Sequence, residues 1–188
     1  MTYDIILAGV GGQGVLSIAT IIARAAMIDG LTVRQSEVHG MSQRGGGVQA
    51  HMRIADGPIS SDLIPTGGAD MILAMEPMES LRYLSWLKPE GILVTAAEPF
   101  VNIPDYPDVE TLYAAIRTLK RSRIVAAEAL AREAGNLKSV NMVLIGAASS
   151  SLPVSEKALA QSVHDTFAKK DPKLVDINMK ALALGEKA

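Results

Sequence analysis

The sequence contains no cysteine among its 188 residues. Disulfide bonds and iron–sulfur clusters held by thiolates of this chain are therefore excluded. The three histidines, His39, His51 and His164, do not stand at the spacing of a zinc site, and His51 and His164 are expected on a strand face and a helix surface. We therefore expect the isolated chain to bind no stoichiometric iron or zinc.

The chain also has few aromatic residues, no net positive charge and only a short apolar run near its N-terminus. Aromatics make up 4% of the chain against 48% hydrophobic residues, so the core must be built from aliphatic side chains and methionine. A net charge of −2 provides no large positive field, which disfavours nucleic-acid binding. The run Ile5–Val10 is too short for a signal peptide or a membrane span, so we expect a cytoplasmic protein that does not bind membranes.

The apolar segments follow an α/β order. A short run, Ile5–Ala8, is followed by glycines and then by the long apolar stretch Val15–Ile28, which predicts strand, turn and buried helix. Met71–Met75 and Gly91–Thr95 have the length of central parallel strands, with a helix from Pro77 to Leu87 between them. These patterns predict one domain over residues 1–188, built as a three-layer, Rossmann-like and mostly parallel sheet.

Other segments complete this prediction. Val48–Ile54 alternates apolar and polar residues, as in a strand with one wet face, and a turn at Ala55–Pro58 leads it into Ile59–Ser61 as an inserted β-hairpin. Thr32–Ser36 and Ile124–Ala126 are further strand candidates. The remaining helices are predicted from capping residues and helical spacing; they follow Asp108, span Val140–Ser150, follow Ser155, and begin at Pro172 after Asp171.

The segment Gly9-Val10-Gly11-Gly12-Gln13-Gly14 has the glycine spacing of a dinucleotide-binding turn and lies between the first strand and the first helix. Glycine backbone can approach a diphosphate closely, and a helix N-terminus favours anions. The alternative is a tight turn without a ligand. The acidic partner of a ribose, expected after the second strand, is matched only loosely by Glu37.

A second glycine-rich segment runs from Glu37 to Gly47 and is predicted to be a loop at the same edge of the sheet. Arg44 can clamp a phosphate or a carboxylate, His39 can exchange a proton, and Gln43 can form hydrogen bonds. Each also has a purely structural alternative, which for His39 is the favoured one.

A third segment, Asn136–Asn141, precedes a helix of small residues. Ser139 is predicted to cap that helix, and Asn141 in its first turn to face the crevice between the two glycine-rich loops.

Together these segments, with Ser61-Asp62-Leu63-Ile64-Pro65 and Glu76-Pro77, resemble the gamma-type domain of 2-oxoacid:ferredoxin oxidoreductases over nearly the whole chain. Within that family the stretch Ser36–Gly46 is most similar to the beta subunits of the indolepyruvate enzymes. The resemblance implies an enzyme that decarboxylates a 2-oxoacid on thiamine diphosphate, reduces ferredoxin through iron–sulfur clusters and releases an acyl-CoA.

The resemblance also implies a division of labour between subunits. The chain has no cysteine and no Gly-Asp-Gly segment for a magnesium diphosphate, so thiamine diphosphate, Mg and the clusters are expected on a large partner subunit that also reduces ferredoxin. This chain is then expected to complete the active site and to help bind CoA. The implied binding residues are Gly11, Gly12, Gln13, Gly14, Glu37, Gln43, Arg44, Gly45, Gly46 and Asn141.

Two other interpretations stay open from the sequence. The chain can be a free-standing dinucleotide- or CoA-binding module, or a structural scaffold whose glycines only form tight turns.

Overall fold

A computed structural model describes residues 1–39, 45–168 and 171–188. The strands, in chain order, are β1 (Thr2–Val10), β2 (Thr32–His39), β3 (Gly47–Ala55), β4 (Ala69–Ala74), β5 (Leu87–Ala96) and β6 (Ser122–Val125). The helices are α1 (Val15–Ile28), α2 (Pro77–Arg82), α3 (Val109–Arg117), α4 (Ala127–Ala134), α5 (Val140–Ser149), α6 (Glu156–Phe167) and α7 (Pro172–Glu186). Short 3-10 turns lie at Leu84–Trp86 and Leu137–Ser139.

The strands form one six-stranded sheet in the order β2-β3-β1-β4-β5-β6. Strands β1, β4, β5 and β6 run parallel, whereas β3 is antiparallel to both β1 and β2. The apolar run at the start of the chain becomes the central strand β1 because both of its faces are covered, and Ile5, Ile6 and Leu7 are fully buried. The predicted α/β class with a mixed, mostly parallel sheet is confirmed.

The predicted pairing of Val48–Ile54 with Ile59–Ser61 in a hairpin was wrong. Strand β3 pairs with β2 and β1, and Ile59–Ser61 forms no strand. The segment Glu37–Gly47 is also less of a loop than predicted, because β2 extends to His39 and β3 begins at Gly47. The face of β3 predicted to be wet is partly covered, since His51 is only 5% exposed.

Helices cover both faces of the sheet. On one face Ile5 and Leu7 pack against α1, α4, α5, α6 and α7 in the larger core. On the other face Ile6 and Ala8 pack in a smaller cluster with α3 and with residues around α2. The three-layer arrangement leaves the carboxyl ends of β1, β4 and β5 at one edge of the sheet.

Most of the predicted helix starts are present. Pro77 and Pro172 each open a helix, and the Asp108 and Ser155 side chains accept hydrogen bonds from the first turns of α3 and α6. Ser139 precedes α5 but accepts no capping bond, because its hydroxyl donates to the Asn136 carbonyl oxygen at 2.6 Å.

Helices α5 and α7 touch through two glycines. A Cβ atom on Gly146 would lie 2.1 Å from the Leu182 carbonyl oxygen, and one on Gly185 would lie 2.0 Å from the Val143 carbonyl oxygen. Only glycine permits the two backbones to approach this closely. In the described parts of the chain, no helix is long and apolar enough to cross a membrane.

Candidate functional site

The turn between β1 and α1 is shaped by glycines and closed by Gln13. Gly12 and Gly14 have φ angles of +104° and +89°, which side chains rarely adopt. The Gln13 side chain accepts a hydrogen bond from the Val10 backbone N–H at 2.7 Å and reaches the Met75 carbonyl oxygen at 3.4 Å. Gln13 was predicted to bind a cofactor; here its amide joins the ends of β1 and β4.

Asn141 reaches this turn from the far end of the chain. Its Nδ2 donates to the Gly14 carbonyl oxygen at 3.1 Å, and the residue lies in the first turn of α5. The packing is close, since a Cβ atom on Gly14 would lie 2.6 Å from that same nitrogen. The structure therefore brings two of the predicted site residues into direct contact.

The second glycine-rich segment also meets the turn. The Gly11 backbone N–H donates to the Gly46 carbonyl oxygen at 2.8 Å, and the Gly45 N–H donates to the Gly11 carbonyl oxygen at 3.3 Å. The two glycine-rich segments lie together, as expected. Gln43 and Arg44 lie outside the described residues, and His39 is described only as the last residue of β2, paired with Val48.

Glu37 lies on β2, which is separated from β1 by β3. Glu37 pairs with Ala50 of β3, which in turn pairs with Leu7 of β1. Two strand spacings of about 4.8 Å each separate it from β1, a displacement of roughly 10 Å. In a dinucleotide-binding fold the second strand lies beside the first, whereas here β3 lies between them. The expectation that Glu37 binds a ligand held by the glycine turn stays a prediction.

A cavity of about 580 Å³ opens beside the glycine turn at the carboxyl edge of β1, β4 and β5. Among the predicted site residues, Gly12, Gln13, Gly14 and Asn141 line it. The predicted segment Asn136–Asn141 also contributes Leu137, Lys138 and Val140. Sequence reasoning missed the rest of the lining, which comes from the β4 and β5 ends, the loop after β5 and the start of α4: Met75, Ala96, Glu98, Pro99, Phe100 and Glu128.

Helix N-termini surround this cavity. Helix α1 begins directly after Gly14, and the first turn of α4 is held by Glu98, whose Oε1 accepts a hydrogen bond from the Glu128 N–H at 3.0 Å. Lys138 precedes α5 and adds a positive charge, while the Glu128 carboxylate is paired with Arg132 at 2.9 Å. Helix N-termini and glycine amides favour an anionic group such as a diphosphate.

The lining is suited to binding more than to covalent catalysis. The described lining includes no serine, cysteine or histidine that could act as an activated nucleophile. Among the described residues, no group of three or more His, Asp or Glu side chains is placed to hold a metal ion. The glycine amides and helix N-termini can hold an anionic group.

A buried acidic residue lies just after β4. Glu76 is fully buried and caps α2 by accepting hydrogen bonds from the Met78 and Glu79 N–H groups. The Tyr106 hydroxyl also donates to Glu76. Burial raises the pKa of Glu76, while these hydrogen bonds oppose the rise. The contact ties the loop after β5 to the end of β4.

The profile of the pyruvate ferredoxin/flavodoxin oxidoreductase family matches residues 4–188. The chain belongs to this family. Similar proteins include the indolepyruvate oxidoreductase subunit IorB of Thermococcus kodakarensis, which is 39% identical over 99% of this chain and 95% of its own length. The same subunit of Pyrococcus horikoshii is 40% identical over the same shares. The predicted family, and a subunit of a 2-oxoacid:ferredoxin oxidoreductase within it, are confirmed.

Solved structures show the same fold. The gamma subunit of a keto/oxoacid ferredoxin oxidoreductase from Geobacter sulfurreducens is 25% identical, with a TM-score of 0.71 over 98% of this chain and 96% of that one. A 2-oxoglutarate:ferredoxin oxidoreductase from Magnetococcus marinus, solved with 2-oxoglutarate, coenzyme A and succinyl-CoA, has a TM-score of 0.78 at 23% identity. Our chain matches 30% of that longer chain.

Proposed function

We propose that this chain is the small, cluster-free subunit of a cytoplasmic enzyme that oxidises indolepyruvate or a related aryl 2-oxoacid to an acyl-CoA, with ferredoxin as electron acceptor. In this proposal residues 1–188 form one catalytic domain. The observation that carries it is the end-to-end match with separate subunits named for indolepyruvate, which covers 99% of this chain and 95% of those subunits.

The proposal assigns the electron-transfer groups to a large partner subunit. A chain without cysteine offers no thiolate ligand to an iron–sulfur cluster, and none of its described residues forms a metal-binding group. Thiamine diphosphate, Mg and the clusters therefore belong to the partner in this proposal, and ferredoxin docks on the complex. The small subunit closes the active site and helps to hold CoA.

We assign CoA to the cavity beside the glycine turn. The backbone amides of Gly12 and Gly14, and the N-terminus of α1, suit a diphosphate. Asn141 fixes the shape of the turn through its bond to Gly14, and Gly45 and Gly46 brace the turn through Gly11. Arg44 and Gln43 are proposed, from their sequence position, to add a charge-assisted contact and a polar contact.

Reconstitution tests the proposed function. Indolepyruvate- and CoA-dependent reduction of ferredoxin or a viologen dye is measured with the small subunit alone, the large subunit alone, and both together. We expect turnover only with both. Turnover by this chain alone contradicts the proposal, and so does full turnover by the large subunit without it.

CoA binding is tested separately by calorimetry on the assembled enzyme, with desulfo-CoA as the ligand so that no acyl transfer occurs. Asn141→Ala in the small subunit is expected to weaken desulfo-CoA binding. The matched control is Asn178→Ala, which removes an amide that donates within α7. Equal affinity in the Asn141→Ala complex and the wild-type complex contradicts the placement of CoA but not the oxidoreductase function. Tight CoA or dinucleotide binding by a chain that joins no partner would instead support a free-standing module.

A further inference from the structure

The segment 97–108, between β5 and α3, has no helix or strand but is attached along its length. Its first residue donates from the Ala97 N–H to the Val125 carbonyl oxygen at 2.7 Å. In its middle, Asn102 Nδ2 donates to the Gly45 carbonyl oxygen at 2.6 Å. Near its end the Tyr106 hydroxyl donates to Glu76. The segment is therefore fixed across the edge of the sheet that carries the cavity.

This fixed segment exposes large apolar side chains. Phe100, Val101 and Ile103 are 41%, 68% and 42% exposed, and Leu137 is 44% exposed across the cavity. Phe100 and Leu137 both line the cavity, so the apolar surface is continuous with its rim. Exposing these apolar side chains to water does not stabilise the isolated chain. A continuous exposed apolar surface is typical of an interaction site.

We propose that the segment 97–108 together with Leu137 is the docking ridge for the large subunit, which covers the exposed apolar side chains. This inference rests on the proposed function. The ridge borders the mouth of the cavity through Phe100 and Leu137, and a subunit whose cofactor must act on a ligand in that cavity has to approach there. An apolar centre is typical of a permanent interface.

The chain offers a matched control surface. Met27, near the end of α1, is 68% exposed, the same fraction as Val101. It lies on the last turn of a helix that begins at the cavity, so at 1.5 Å per residue it is about 20 Å from the glycine turn. Because Met27 and Val101 are both exposed, an aspartate at either position is expected to shift the melting temperature of the isolated chain by less than about 2 °C.

The experiment measures assembly of the small subunit with the immobilised large subunit by biolayer interferometry. Val101→Asp and, independently, Ile103→Asp are expected to raise the dissociation constant about tenfold or more, because they place a charge in an apolar contact. Met27→Asp is expected to stay within about twofold of wild type. Size-exclusion chromatography of the isolated chain is run in parallel.

The outcomes separate this inference from the proposed function. Wild-type assembly with unchanged affinity for Val101→Asp and Ile103→Asp overturns the ridge alone, as does a larger effect of Met27→Asp. A homodimer of the isolated chain that Val101→Asp dissolves also overturns it, because the ridge would then hold a second copy. A wild-type chain that never binds the large subunit overturns both the ridge and the proposed function.

Discussion

The side-chain amide of Asn141 donates a hydrogen bond to the Gly14 carbonyl oxygen at 3.1 Å, across 127 residues of sequence. The contact fixes the first turn of α5 against the turn that opens α1, and both residues line the cavity. The turn is therefore shaped by a residue from the other half of the chain as well as by its own glycines.

Gly14→Ala should destabilise the isolated chain more than Gly12→Ala. Both glycines have positive φ angles, but a Cβ atom on Gly12 meets nothing within 4 Å, whereas one on Gly14 meets the Asn141 amide at 2.6 Å. We expect Gly12→Ala to cost about 1–2 kcal/mol and Gly14→Ala at least about 1 kcal/mol more. Urea unfolding of both variants measures this difference, and equal losses would show that the contact with Asn141 is not tight.

A double-mutant cycle isolates the contact itself. In an Asn141→Ala background the added methyl group of Gly14→Ala no longer meets an amide, so its cost should fall to about that of Gly12→Ala, roughly 1–2 kcal/mol. Asn141→Ala alone should cost about 1 kcal/mol for the lost hydrogen bond. Strict additivity of the two changes would contradict the assigned geometry.

His51 should make stability depend on pH near neutrality. Its Nδ1 accepts a hydrogen bond from the Ile64 N–H at 2.9 Å, so the bond needs the neutral ring. Burial, and secondly the charge of Arg53, lower the pKa of His51 below 6.5. The folded state disfavours the protonated ring, so this stability is complete above pH 6.5 and is lost as pH falls through the folded-state pKa.

The variant His51→Asn keeps an acceptor near the position of Nδ1 but does not titrate. Melting temperatures of wild type and His51→Asn are compared between pH 7.5 and 5.0, and the wild type should lose stability relative to the variant as pH falls. Parallel curves across this interval would show that His51 does not control the effect.

Gly146→Ala should be among the most destabilising single changes in the chain. Its methyl group would lie 2.1 Å from the Leu182 carbonyl oxygen, which belongs to the backbone of α7 and cannot rotate away. We expect a loss of about 3 kcal/mol, because α5 and α7 must separate. Gly57→Ala is the control, since a Cβ atom there meets nothing within 4 Å. Circular dichroism melts measure both, and similar melting temperatures would contradict the close helix contact.

Arg44→Ala tests the charge proposed for the glycine-rich segment. We expect kcat/KM for CoA in the assembled enzyme to fall. The fall should correspond to a loss of about 1.5–3 kcal/mol of binding energy, the scale of a charge-assisted hydrogen bond. The melting temperature should change little, because a segment of glycine and polar residues offers little apolar surface to bury. Unchanged catalytic efficiency contradicts the assignment.

Much of the fold could be predicted because local signals coincide with it. The apolar run before the glycines gives β1, and Pro77 and Asp108 mark helix starts. Helix α4 (Ala127–Ala134) was missed, because its eight residues are alanines mixed with charged residues and bury only one narrow stripe. The partner of β3 was also missed, because strand pairing depends on long-range register that no local pattern in Ile59–Ser61 reveals.

The candidate site was predictable only in part, for a related reason. The glycine turn can be recognised from the local sequence, and Lys138 lies in the predicted segment Asn136–Asn141. Glu98, by contrast, belongs to no motif and reaches the cavity only through the tertiary fold. One general rule could have found Glu98, because residues that follow parallel strands at their carboxyl ends face the binding edge, and Glu98 follows β5. The same rule assumes that β2 lies beside β1, whereas here β3 lies between them.

The position of β1 has a consequence for biosynthesis. It is a central strand, with seven consecutive buried residues, but both strands that pair with it, β3 and β4, follow it in the chain. An emerging polypeptide therefore carries an apolar strand with both ladder edges open until residue 55 has left the ribosome, and with one edge open until residue 74 has left it. Such edges promote aggregation. Chaperone binding to ribosome-attached chains should be strongest for lengths that end before β4.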